Sequence, residues 1–268
     1  MLDELVDEGP VAAVRVAEQA ERPEEMAQAM AAVVEAALAV PRELSGEERN
    51  LLSAAFKNMV TSRRSAWRVL DSLSRKEDET AAKKAAALQL RAVVEAELER
   101  ECGKALGLLE KLTAAAAKGS EAELFYRKMA GDYHRYVCEV RTGPQRTAAV
   151  LEAEKAYRSA AQLAPSLPTT NTARLGLALN FSVFLYEMQG AKEEATRTAR
   201  LAFDAAVADL DKLDPDNFLD ASGILQLLRD NLALWAPDDI GPNVSSSGRK
   251  LNDNPKLFLH PPSIFNSS

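Results

Sequence analysis

The sequence predicts an all-α protein, an antiparallel array of nine helices, and three observations carry that prediction. First, Ala, Leu, Glu, Lys and Arg dominate a 268-residue chain that holds only 12 Gly and 12 Pro, a composition of good helix formers. Second, apolar residues recur at the helical period in segment after segment, each bounded by a cap or a breaker. Third, no stretch reads as a strand, and no repeat of fixed period marks a regular solenoid. Short links make neighbouring helices mostly antiparallel.

A short amphipathic helix is expected from Leu2 to Ala20, stopped near Glu21-Arg22-Pro23. Pro23 suits the first turn of the next helix, where its missing N–H is an orphan in any case. That helix is Ala-rich and ends near Val40-Pro41. Ser45-Gly46-Glu47-Glu48 reads as a capping box and opens a helix to about Arg75. After a charged connection a long helix runs to a stop at Lys118-Gly119. Ser120-Glu121-Ala122-Glu123 is a second capping box, for a helix through about Arg141 that Thr142-Gly143-Pro144 ends. The remaining helices are expected over about Gln145–Ala164, Thr170–Gln189, Ala191–Leu213 and Phe218–Trp235. The helical domain therefore covers 1–235. The stretch 236–268, rich in Pro, Ser, Asn and Gly, keeps no helical period and reads as a non-helical tail.

With 33 basic and 40 acidic residues the chain carries a net charge of −7. It lacks the basic footprint of a general nucleic-acid or anionic-membrane binder, so any anion site must be a local gathering of cations. Cys102 and Cys138 make neither a disulfide framework nor a ligand cluster, and two small buried thiols are expected. The acidic start MLDELVDEGP has no apolar core of a secretory signal, and no run of about 20 apolar residues would span a membrane. A cytoplasmic protein is expected.

Such a gathering of cations occurs in RNLLSAAFKNMVTSRRSAWRVL, Arg49 to Leu70. At about 100° per residue Lys57, Thr61, Arg64 and Arg68 share one strip, while Leu52, Phe56, Met59, Val60, Trp67 and Leu70 cover another side. No acid interrupts the strip, although exposed helices usually interleave their signs. Arg63 falls inside the apolar stripe and must snorkel or find an acid. In LFYRKMAGDYHRYVCEV, Lys128, Asp132, Arg135 and Glu139 are spaced four, three and four residues apart and share a face. On that helix alone a solvated ladder is the simpler reading, although Asp132 and Glu139 could instead hold Arg135 for an external anion. Two further helices place a single Asn in an apolar stripe: Asn180, beside Val183 and with Glu187 on the same face, and Asn231, between Leu227 and Leu234.

Together the segments RNLLSAAFKNMVTSRRSAWRVL, FYRKMAGDYHRYVCEV, RLGLALNFSVF and QLLRDNLALW, with AEQAER at Ala17 to Arg22, resemble the signature segments of the 14-3-3 proteins. The resemblance implies a nine-helix protomer, a cup-shaped homo- or heterodimer, and an amphipathic groove for phosphoserine or phosphothreonine peptides, with no cofactor. It assigns Lys57, Arg64, Arg135 and Tyr136 to the phosphate, with Arg68 and Lys128 adding positive potential. It assigns Asn180 and Asn231 to the peptide backbone, and Gly176, Leu179, Val183, Ile224, Leu227 and Leu234 to the groove, with Glu187 and Trp235 at its polar edge. At the dimer interface it places Val16, Ala20, Arg22, Ala66, Leu90 and Glu97, with Arg22 and Glu97 as an intersubunit ion pair.

The chain departs from the family pattern at several positions. Phe56 and His134 replace tyrosines, Ala130 a lysine, and Gly223 an apolar wall residue; Pro23 and Leu90 replace aromatic residues, and Ala66 a serine. The tail lies outside the resemblance. Ser245, Ser246, Ser247, Ser263 and Ser267 are candidate phosphosites through which it could enter the groove of its own or a neighbouring protomer. The function expected is a non-enzymatic adaptor that clamps phosphorylated client proteins. A structural scaffold is the alternative. A phosphoryl-processing enzyme is disfavoured, because there is no glycine-rich phosphate loop, metal-ligand cluster or nucleophile beside a base.

Overall fold

Caps and breakers set the helix boundaries, and the computed structural model describes the result over residues 3–40, 42–213 and 215–235. Among the described residues there are nine α-helices and no strand: α1 (Asp3–Gln19), α2 (Pro23–Ala39), α3 (Gly46–Arg75), α4 (Ala81–Ala115), α5 (Glu121–Val140), α6 (Gly143–Ala161), α7 (Thr172–Phe184), α8 (Lys192–Asp209) and α9 (Pro215–Trp235). Pro23 takes the first turn of α2. The capping box at α3 is complete: Ser45 Oγ accepts from the Glu48 N–H at 3.1 Å, and the Glu48 carboxylate accepts from the Ser45 N–H at 2.8 Å. At α5 the box is shifted. Ser120 Oγ accepts from the Glu123 N–H at 3.1 Å, but the Glu123 carboxylate reaches back to the Gly119 N–H at 2.7 Å. Gly119, at φ +78, takes the left-handed conformation that directs its N–H there.

Several expected boundaries move, and helix α9 starts at Pro215 rather than Phe218, because proline fits a first turn. Helix α6 starts at Gly143 rather than Gln145, because Pro144 fits a first turn as well as it fits a stop. The helix expected through Gln189 leaves α geometry after Phe184, closes with a π turn over Leu185–Gln189, and is ended by Gly190 at φ +68. Helix α8 likewise tightens into a 3-10 turn over Leu210–Lys212.

The described residues form two compact units, divided between residues 156 and 157. In the first unit α1 packs on α2, α2 on α3, α3 on α4 and α4 on α5. Its core joins Met26, Met30 and Val34 of α2, Leu52, Phe56 and Met59 of α3, Leu98, Leu109 and Leu112 of α4, and Tyr126 and Tyr133 of α5. Burial of each such side chain is worth roughly 1.5–3 kcal/mol, which the marginal propensity of a single helix could not supply. Cys102 and Cys138 are both buried there as free thiols, and burial raises them to about 12 and about 11. His134 is half-buried on α5, where burial lowers its pKa.

In the second unit α7, α8 and α9 pack on one another. Leu175 and Leu179 of α7 meet Ala199 and Ala206 of α8 and Ala221, Ile224, Leu225 and Leu228 of α9. The alanines of α8 let the three helices approach closely. The Tyr157 ring lies 5.5 Å from Phe181 and 5.3 Å from Phe184.

Candidate functional site

The cation strip of α3 has its counter-charge on α5. Glu139, whose side chain is only 9% exposed, takes Arg64 in a two-pronged bond: Nε to Oε2 at 2.9 Å and Nη2 to Oε1 at 2.6 Å. Arg68 Nη2 joins at 3.2 Å and Arg135 Nη1 at 3.4 Å, so one carboxylate holds three guanidiniums. Arg64 and Arg135 are 3% and 6% exposed. An unpaired guanidinium at such depth would be strongly unfavourable, and the shared acid is what permits it. Burial works against the ionised form of Glu139, but Arg64 above all, then Arg135 and Arg68, outweigh it and hold the carboxyl below its usual range.

The ladder foreseen on α5 is present, and it is not a solvated one. Lys128 Nζ lies 2.9 Å from Asp132 Oδ2, and Asp132 Oδ1 lies 4.0 Å from Arg135 Nη2, with Asp132 itself buried. Tyr136 completes the cluster. The Arg64 guanidinium sits 4.0 Å and the Arg135 guanidinium 4.7 Å from its ring centroid, within cation–π range. Tyr133 meets Tyr136 edge-on at 5.6 Å and fixes the ring.

Lys57 differs from the other cations. It is half-buried and has no ion pair among the described residues. Burial first, and repulsion from Lys128 second, lower its pKa, against the pull of Asp132. Five cations (Lys57, Arg64, Arg68, Lys128 and Arg135) thus gather about two carboxylates, Asp132 and Glu139.

The residues assigned to the groove wall are less uniform. Gly176, Asn180 and Val183 follow one face of α7, and Ile224, Leu227, Asn231 and Leu234 one face of α9. Leu179, Val183 and Ile224 are 6%, 8% and 4% exposed, with Leu179 and Ile224 in the core of the second unit, whereas Leu234 is 44% exposed. Gly176, Asn180, Leu227 and Asn231 are half-buried. Glu187 lies in the π turn. Trp235 stacks on Tyr186 with centroids 4.6 Å apart and planes 9° from parallel, and its buried Nε1 has no hydrogen-bond partner among the described residues. Gly223 is half-buried on α9.

Among the positions assigned to the dimer interface, Val16 and Leu90 are 65% and 52% exposed, and Ala20 and Ala66 are exposed as well. Within the chain Arg22 pairs with Glu25. Arg63 resolves its place in the apolar stripe by doing both expected things. It lies along α3, donates from Nη1 to the Met59 carbonyl at 2.8 Å, and pairs with Glu24 at 3.2 Å and Glu97 at 3.3 Å. Trp67 of the same stripe donates to Glu95 at 2.8 Å. The candidate tail phosphosites Ser245, Ser246, Ser247, Ser263 and Ser267 lie outside the described residues.

Sequence reasoning placed the cations but missed their common partner. Glu139 sits four residues after Arg135, which signals a local pair; its reach across 75 residues to Arg64 has no sequence signal. The Tyr186–Trp235 stack and the Arg63–Glu97 pair were equally invisible.

Among the described residues the protein is all-helical, with two arginines buried beside one tyrosine. The model of the family described as "14-3-3 protein" matches residues 13–236, and the chain belongs to the 14-3-3 family. It is similar to 14-3-3 protein zeta of Bombyx mori, at 46% identity over 85% of this chain and 91% of that one. It is also similar to 14-3-3-like protein 2 of Caenorhabditis elegans, at 44% over 87% and 95%, and to 14-3-3 protein homolog 1 of Schistosoma mansoni, at 47% over 84% and 87%. Among the described residues no helix is long and apolar enough to cross a membrane.

The Glu139 clasp makes stability depend on acid. Because its pKa is lower folded than unfolded, its contribution is complete above the ordinary glutamate value of 4.5 and is lost as the pH falls through the folded value. The urea midpoint should stay nearly level from about pH 7 to 5 and drop below about pH 4.5. A midpoint that holds further into acid would contradict the clasp.

Proposed function

We propose that this protein is a cytoplasmic phosphopeptide-binding adaptor that holds phosphoserine- or phosphothreonine-bearing client proteins without turning them over. The observation that carries this reading is half-buried Lys57, which stands beside the arginines of α3 and α5 without an ion pair among the described residues. A phosphoresidue brings about −1.5 to −2 charges and three acceptor oxygens. Arginine and lysine donors to such oxygens are worth roughly 1.5–3 kcal/mol each, more than a neutral hydroxyl can offer in return for desolvating the cluster. We assign Lys57, Arg64, Arg135 and Tyr136 to the phosphate, with Arg68 and Lys128 in support. Asn180 and Asn231 are proposed for the peptide backbone, and Gly176, Leu179, Val183, Glu187, Ile224, Leu227, Leu234 and Trp235 as further peptide contacts. A structural scaffold would also be served by the Glu139 clasp, but it has no use for an unpaired half-buried lysine.

Lys57→Gln is the cleanest test, since it breaks no ion pair among the described residues. It should weaken phosphopeptide binding about tenfold or more in fluorescence polarisation while moving stability by less than about 1 kcal/mol. Equal binding of phosphorylated and unphosphorylated peptides by the unaltered protein would refute the reading.

We further propose a homo- or heterodimer through the exposed apolar positions Val16, Ala20, Ala66 and Leu90, with Arg22 and Glu97 at the rim. Glu97 is already paired with Arg63 inside the chain, so association should rest on apolar area more than on charge. Light scattering should show a dimer at micromolar concentration whose dissociation constant changes less than about threefold between low and high salt. A stable monomer would overturn the dimer, and a steep salt dependence its apolar basis.

The tail 236–268 is proposed as a regulatory segment that competes for the same site once phosphorylated. Its deletion should then raise affinity for external peptide; unchanged affinity relative to the phosphorylated full chain would sink that idea.

A further inference from the structure

We propose that the segment 236–239 folds back on the end of α9, where a carboxylate of Asp238 or Asp239 accepts the indole N–H of Trp235 and faces Lys192, so that the tail is anchored at its root. Three side chains of the second unit meet at this end. Trp235, the last residue of α9, stacks on Tyr186 of the π turn with centroids 4.6 Å apart. Lys192, the first residue of α8, places Nζ 5.5 Å from the same Tyr186 centroid. The stack and the cation–π contact hold the rings in place. Two groups are left without a counterpart: Trp235 Nε1 is buried with no hydrogen-bond partner among the described residues, and exposed Lys192 has no ion pair among them. An indole N–H out of water and without an acceptor is unfavourable, and a negatively charged acceptor would serve the lysine as well. Glu194, two residues along α8, is already paired with Arg158 at 3.2 Å.

The chain shows the complete form of this arrangement at its other tryptophan. Trp67 Nε1 donates to Glu95 Oε1 at 2.8 Å, and Arg91 Nε lies 3.2 Å from the same oxygen. Around Trp235 the described residues provide the indole and the cation but no carboxylate. The sequence supplies one next door, in residues that lie outside the described ones: Asp238 and Asp239 follow Trp235 closely, within about 10 and 13 Å of extended chain. Pro237 cannot carry α9 onward with a donor N–H, which favours a turn there. The next acid is Asp253, and a loop that long gains less from the tether. The root of the tail then positions Trp235, a role separate from any competition by the phosphosites further along.

The test is hydrogen exchange at the indole N–H groups of the full chain, followed by NMR with no peptide added. The chain has two tryptophans, and Trp67, bonded to Glu95, is the internal reference. Replacing both acids, Asp238→Ala with Asp239→Ala, should speed exchange at Trp235 by about tenfold or more and leave Trp67 unchanged. Lys192→Gln should speed it by about threefold, because the carboxylate keeps the indole but loses the cation. An unchanged Trp235 rate in the double aspartate variant overturns the inference. So does protection that disappears on about tenfold dilution, which would place the acceptor in a second copy of the chain. Because no peptide takes part, either failure leaves the phosphopeptide reading standing.

Discussion

One carboxylate shared by three arginines is the interaction on which the candidate site depends. Arg64 and Arg135 are almost as buried as the leucines around them, and guanidiniums do not titrate away their charge to escape such an environment. They stay because Glu139 ties them together, at 2.6–2.9 Å to Arg64 and 3.4 Å to Arg135. The bond joins two helices that the chain separates by a whole intervening helix, so it sets the spacing of the α3 and α5 side chains as well as their charge. Tyr136 reads that spacing directly, with both guanidiniums within 5 Å of its ring.

The apolar packing beneath prepares this arrangement. The opposite side of α3 carries Leu52, Phe56, Met59 and Val60 into the core of the first unit, which fixes the helix about its own axis and turns Lys57, Arg64 and Arg68 toward α5. Arg63 shows how strictly that rotation is imposed. It is the one cation of the helix that falls in the apolar stripe, and it is accommodated by a bond to its own helix at Met59 and by two acids from α2 and α4. Glu139 and Asp132 are committed to their arginines and to Lys128, whereas Lys57 has no ion pair among the described residues.

The all-α class, the nine helices and most of their ends were legible from residue to residue. Ser45 and Ser120 cap because a hydroxyl three residues before an N–H reaches it in any helical start, and Gly119 and Gly190 stop because only glycine takes a positive φ without strain. Local rules left two outcomes open where one residue serves two purposes. Pro144 could end one helix or begin the next, and it begins α6. The segment after Phe184 could continue as α-helix, and instead it forms a π turn that brings Tyr186 against Trp235.

The sequence by itself determined the fold class, the helix that carries the cations and the face on which they lie, because each follows from a period of 3.6 residues and from charges at fixed offsets. It also carried the motifs that place the chain in its family. Only the tertiary structure decided what those cations meet. Whether Glu139 ends a solvated ladder or clasps Arg64 depends on how close α5 comes to α3, a distance settled by the packing of many side chains at once and written in no pair of residues. The same holds for Arg63, whose acids lie 39 and 34 positions away on other helices. Charge pattern is local and can be read along a chain; charge neutralisation is a matter of neighbours in space, and only the folded protein has those.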